Sequence, residues 1–79
     1  MEYEIKEDQY IQYHKSQSQI EAKKYEDAIK TLKKITKLYG DNPFFFFDIA
    51  CCYKELGDEE MYKHYCEKRD KYWREHEND

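Results

Sequence analysis

Apolar residues recur at steps of three and four along most of this chain, the spacing that gathers them on one face of a helix turning about 100° per residue. Between Glu26 and Tyr39, the residues Ala28, Ile29, Leu32, Ile35, Leu38 and Tyr39 keep this spacing while Lys30, Lys33, Lys34 and Lys37 take the opposite side. Toward the C-terminus Tyr62, Tyr65, Cys66, Tyr72, Trp73 and His76 form one long stripe, broken only by Arg69. No segment alternates with the period of a half-buried strand. The two glycines and the single proline fall at "LYGDNP" and "ELGDEE", which read as joints between helices. Gly40 is expected in the left-handed position after a helix ending near Tyr39, with Asn42 capping the next helix and Pro43 in its first turn, where no amide hydrogen is needed. Gly57 closes that helix in the same way, and Asp58 caps a last one with Glu59 and Glu60 in its first turn, where negative charge suits the helix dipole. A weaker break at "EAKKYED", without Gly or Pro, separates a helix from about Lys6 to Lys23 from one beginning near Glu26. The pattern predicts an all-α chain of four helices in two helix-turn-helix hairpins.

The stretch "NPFFFFDIACCYKELGD" holds all four phenylalanines and two of the three cysteines. On a helix wheel Phe46, Ala50 and Tyr53 make one stripe, Phe45, Ile49 and Cys52 a second, and Phe44, Phe47 and Cys51 a third. The hairpin partner is expected to cover the first stripe and the preceding hairpin the second. The third is left for a groove, a partner or a second copy of the chain. A buried strand is the competing reading, but the segment runs past the usual strand length of about 5 or 6 residues into helix formers.

Composition narrows the function classes. Seventy-nine residues make one small domain, and a core of this size rarely supplies more than about 3 to 5 kcal/mol. The chain has no valine and few leucines, but nine Tyr and one Trp restore apolar area at roughly 150 to 250 Å² per buried aromatic. Charged residues are 41% of the chain, both signs are interspersed, and the net charge is −4. This balance suits solvated helix faces and argues against a nucleic-acid partner. The start "MEYEIKEDQY" lacks the features of a secretion signal, and no run approaches the roughly 20 apolar residues of a membrane span, so neither export nor a membrane partner is expected. Two adjacent cysteines among three do not make a disulfide framework, which favours a cytoplasmic location. Cys51, Cys52, His64 and Cys66 invite a metal, but neighbouring helical cysteines diverge by about 100°. Thiol catalysis by Cys51 with His64 lacks an oxyanion device and a third orienting group. No metal, cofactor or enzymatic activity is expected.

The residues Phe46, Ile49, Ala50, Tyr53, Leu56, Gly57 and Asp58 in "FFFFDIACCYKELGDEE" resemble the first helix and turn of a tetratricopeptide repeat. "KYEDAIKTLKKITKLYGDNP" is similar to the turn and second helix of such a repeat, with Tyr25, Ala28, Ile29, Leu32 and Leu38 at the matching positions. Ala28 falls in register with Tyr62, and Gln12 with Phe46, at an offset of 34 residues, the length of this repeat. The resemblance implies a single domain over residues 1–79, with repeat one at about 9–42 and repeat two at about 43–76, stacked as a right-handed superhelix. The chain departs from the pattern at Lys15 and Ser16 in the first helix, at Tyr62, where a small residue is usual, and at Arg69.

What the resemblance implies about function is protein recognition, with the first helices of the repeats lining a concave groove for a peptide or helix. Carried over by position, the groove would be Tyr10, Tyr13, Gln17, Ile20 and Glu21 from repeat one with Phe44, Phe47, Cys51, Lys54 and Glu55 from repeat two. This set is aromatic, unlike the Lys- and Asn-rich clamp of chaperone-binding members. A solvated face is the plainer reading of the lysine stripe, and attraction of an acidic partner the alternative. The terminal edge of Tyr65, Tyr72 and Trp73 has no following repeat in the chain, and leaving such side chains wet forgoes roughly 1.5 to 3 kcal/mol apiece. Two functions are therefore expected in order: an adaptor or regulatory module binding a protein segment in an aromatic groove, and, as the alternative, a self-assembling protein that forms a homodimer through its exposed aromatics.

Overall fold

Four helices follow one another with short turns: α1 (Glu2–Glu21), α2 (Tyr25–Tyr39), α3 (Pro43–Glu55) and α4 (Glu59–His76). This is a computed structural model that describes the backbone of residues 2–77 and the side chains of residues 8–77. Asn78 and Asp79, the end of the charged tail "REHEND", lie outside the described residues. Each helix packs on the next, α1 on α2, α2 on α3 and α3 on α4. The Cα trace measures 39 × 32 × 16 Å, a slab whose thickness fits two layers of helices with axes about 10 Å apart.

The turns show why the helices end where they do. Asn42 is extended, and its side chain accepts a hydrogen bond from the Phe44 amide at 2.9 Å, with Pro43 at the first helical position. Asp58 accepts from the Met61 amide at 3.1 Å. At the end of α3 the Asp58 amide donates to the Tyr53 carbonyl and the Gly57 amide to the Lys54 carbonyl, with Gly57 at φ 82°. These two bonds close a Schellman motif, in which a left-handed residue satisfies the last carbonyls of a helix.

The same motif ends α1, where the Lys24 amide donates to Gln19 and the Lys23 amide to Ile20. The two turns are 34 residues apart, bond for bond. Lys23, at φ 62°, holds the position that Gly57 holds in the second hairpin. The break in "EAKKYED" thus works without glycine, and α1 stops at Glu21 rather than running to Lys23. It also begins earlier than expected, at Glu2 instead of about Lys6. Lys23→Gly should raise the denaturation midpoint, because a lysine in the left-handed region costs roughly 1 kcal/mol that glycine does not. An unchanged or lower midpoint in a urea melt would show that this conformation carries no strain. Gly40 corrects another expectation. Its φ of 101° and ψ of 170° are an extended, glycine-only conformation rather than a left-handed helical cap.

The core lies between the layers and comprises Ala28, Ile29, Leu32 and Ile35 of α2, Phe45, Phe46, Ile49, Ala50 and Cys52 of α3, and Tyr65 of α4. Two of the three α3 stripes are the buried ones. Tyr65 was expected on an exposed edge, but it is only 8% exposed, and its ring lies 5.9 Å from Tyr53 and 6.1 Å from Phe46. It belongs to the core of the second hairpin because α4 turns this position inward onto α3. Among the described side chains of α1 only Ser16 is fully buried, with its hydroxyl bonded to the Tyr13 carbonyl, so a small side chain lets the helices approach. Buried Thr31 ties α2 to α1 by donating to the Gln19 side chain at 2.8 Å.

Candidate functional site

The third stripe of α3 is the exposed one. Phe44 is 65% exposed, Phe47 42% and, across from them on α4, Trp73 49%. Phe44 meets Trp73 edge to face, with ring centres 6.0 Å apart. The Arg69 guanidinium lies 5.0 Å from the centre of the Phe47 ring and pairs with Asp70 at 3.1 Å. The arrangement follows from the wheel, since Phe44 and Phe47 on α3 share a side with Arg69 and Trp73 on α4. Arg69, which breaks the apolar stripe in the sequence, is therefore part of the aromatic face. Lys54 joins its far end, its ammonium 5.2 Å from the Tyr62 ring.

Tyr72 and Trp73 do not form a single edge. Adjacent helical residues point about 100° apart, and Tyr72 is half-buried, stacked on His76 with ring centres 4.0 Å apart, beside a pocket that Asp41 and Phe46 also line.

The residues expected to form a groove divide between two places. Tyr13 stacks on Phe45 at 5.2 Å, and Gln17 donates to Asp48 at 3.3 Å, so this part of α1 closes against α3. Half-buried Ile20 packs against the core. Between α1 and α3 there remains a small pocket of about 240 Å³, lined by Gln17, Ile20, Asp48, Cys51, Cys52 and Glu55 among others. Tyr10 stays exposed, in edge contact with His14 at 4.3 Å. Glu21 and Glu55 are exposed, and Cys51 is half-buried.

Asp48, unremarked in the sequence, is the charged group where α1 meets α3. Burial raises its pKa above the ordinary carboxylate value of 3.8, against the opposing effect of hydrogen bonds from Tyr13 and Gln17. The folded state thus holds the Asp48 proton more tightly than the unfolded chain does. Its contribution to stability is complete below pH 3.8 and is lost as pH rises through the folded value. Asp48→Asn should therefore stabilise the fold at pH 7, with the difference shrinking as the pH falls toward 4. Parallel urea melts would test this, and a variant less stable at pH 7 would show that the ionised carboxylate is a net asset.

Burial also pushes the Cys52 thiol up to about 11 and raises Cys51 above its ordinary value, so both are protonated at neutral pH and poorly nucleophilic. Among the described residues no group of three or more His, Cys, Asp or Glu is placed to hold a metal ion, and no helix is long and apolar enough to cross a membrane. No protein-family model, curated protein or solved structure matches the chain.

Proposed function

We propose that this chain is a non-enzymatic interaction protein, built as two stacked repeats of tetratricopeptide type, whose partner is a second copy of itself engaged through the α3–α4 aromatic face. The observation that carries the reading is the contiguous exposure of Phe44, Phe47 and Trp73 around Arg69. Aromatic side chains and arginine are the residue types enriched at interfaces and their hot spots.

The repeat assignment rests on the two Schellman turns 34 residues apart and on two small, fully buried residues at that offset, Ser16 and Ala50. A peptide groove is the weaker reading, because Tyr13, Gln17 and Ile20 are engaged against α3 and the core.

Light scattering across a dilution series tests the proposal. Twice the monomer mass of 9.9 kDa is expected at high micromolar concentration, relaxing to the monomer on dilution. A constant monomer mass throughout would refute it.

A further inference from the structure

The opposite side of the second hairpin carries a different arrangement. Tyr65 rises from α4 between Phe46 and Tyr53 of α3, so the three rings form a continuous row. An ammonium stands near each end. Lys33 of α2 donates to the Tyr53 hydroxyl at 2.9 Å and lies 5.4 Å from the Tyr53 ring centre and 5.8 Å from that of Tyr65. Lys68 of α4 lies 5.4 Å from the Phe46 ring centre and 5.2 Å from that of Tyr65.

The two ammoniums, brought by different helices, are therefore no more than about 11 Å apart, close to the screening length of roughly 8 to 10 Å at moderate salt. No carboxylate of the described residues lies within ion-pairing distance of either. The hydrogen bond with Tyr53 raises the Lys33 pKa above its ordinary value, so the group stays charged at neutral pH. Lys33 and Lys30 line one open depression of about 490 Å³ at the Tyr53 end of the row, and Lys68 and Lys71 another of about 440 Å³ at the Phe46 end, with buried Tyr65 between them.

We propose that the surface joining these two depressions between α2 and α4 is a docking site for an acidic peptide segment, which lays carboxylates at Lys33 and Lys68 on either side of Tyr65. Side chains on one face of an extended peptide recur about every 7 Å, so two or three acidic residues span the ammonium pair. The Tyr53 hydroxyl, which accepts from Lys33, keeps its own hydrogen to donate to a carboxylate. Charge at the rims selects the class of partner. Glu26 and Asp58 border one depression and Asp41 and Glu75 the other. A continuous polyanion would meet these carboxylates, whereas a peptide can place neutral residues there.

Fluorescence anisotropy with a labelled peptide of alternating glutamate and serine tests the proposal. Binding should weaken as salt is added, and the Lys33→Gln, Lys68→Gln double variant should lose about tenfold in affinity. The Lys15→Gln, Lys63→Gln variant carries the same net charge with Lys33 and Lys68 intact and should bind as the parent does. Tyr53→Phe keeps the ring, and its intermediate loss would report the hydroxyl. The Phe44→Ser, Trp73→Ser variant should still bind, which separates this site from self-association. Equal losses in both lysine pairs, no binding at millimolar peptide, or equal affinity for oligothymidylate of the same charge would each overturn the assignment.

Discussion

Replacing Phe44 and Trp73 together by serine should leave a folded monomer at concentrations where the parent chain is proposed to dimerise. Both rings are largely exposed in the single chain, so their loss takes little from the monomer's own core. At an interface, each central aromatic is commonly worth about 2 kcal/mol or more. The pair should therefore weaken self-association by more than the roughly thirtyfold of one such ring and by less than the roughly thousandfold of two independent ones. The two rings touch edge to face, so the single variants should not add to the double, since removing either partner already loosens the other. Sedimentation equilibrium would give the association constants, and far-UV circular dichroism the helix content. A double variant that dimerises as strongly as the parent would move the interface elsewhere, and one that melts far lower would mean the rings belong to the fold.

Ile49→Ala should unfold most of the population under conditions where the parent is folded. Ile49 has no exposed surface and sits in the cluster with Leu32, Ile35 and Cys52. Truncating a buried isoleucine to alanine costs about 2 to 5 kcal/mol, which is comparable to the roughly 3 to 5 kcal/mol that a domain of this size can hold. Leu56, in the turn between α3 and α4, is the matched control, because it is 43% exposed and its truncation should fall within about 0.5 kcal/mol. A parent-like urea midpoint for Ile49→Ala would contradict the placement of the core.

The helix boundaries were legible wherever a residue type has one dominant use. Asn42, Pro43 and Asp58 could be read as caps because their hydrogen bonds are made within three residues in sequence. The end of α1 was less legible because Lys23 adopts a left-handed conformation that its residue type does not announce. The three stripes of the Phe run followed from the wheel, and the expected hairpin neighbours indicated which two would be buried.

Placement across helices was harder to read. Tyr65 and Trp73 belong to the same sequence stripe, yet one lies inside the hairpin and the other outside, because the apolar stripe is wider than the contact that α3 offers. Arg69 interrupts that stripe in the sequence but contributes to the aromatic face through its guanidinium. Lys33 reads as part of a solvated lysine stripe, and Lys68 carries no signal in the sequence, until the fold brings both to the Tyr65 ring.

The sparse packing of the described part of α1 has a consequence for how the chain breathes. Ser16 is its one fully buried residue among those described, and it brings almost no apolar area. α1 is held by half-buried side chains such as Tyr13 and Ile20, and by the Gln17 and Gln19 hydrogen bonds. In an array where each helix answers mainly to its neighbour, the end with the least to lose detaches first. Amide exchange should accordingly run fastest in α1, while α2 and α3 exchange only when the whole chain unfolds. Each such opening would briefly bare Phe45, Asp48 and Cys52, so this α3 surface, next to the Phe44 stripe on the helix wheel, is offered intermittently rather than permanently.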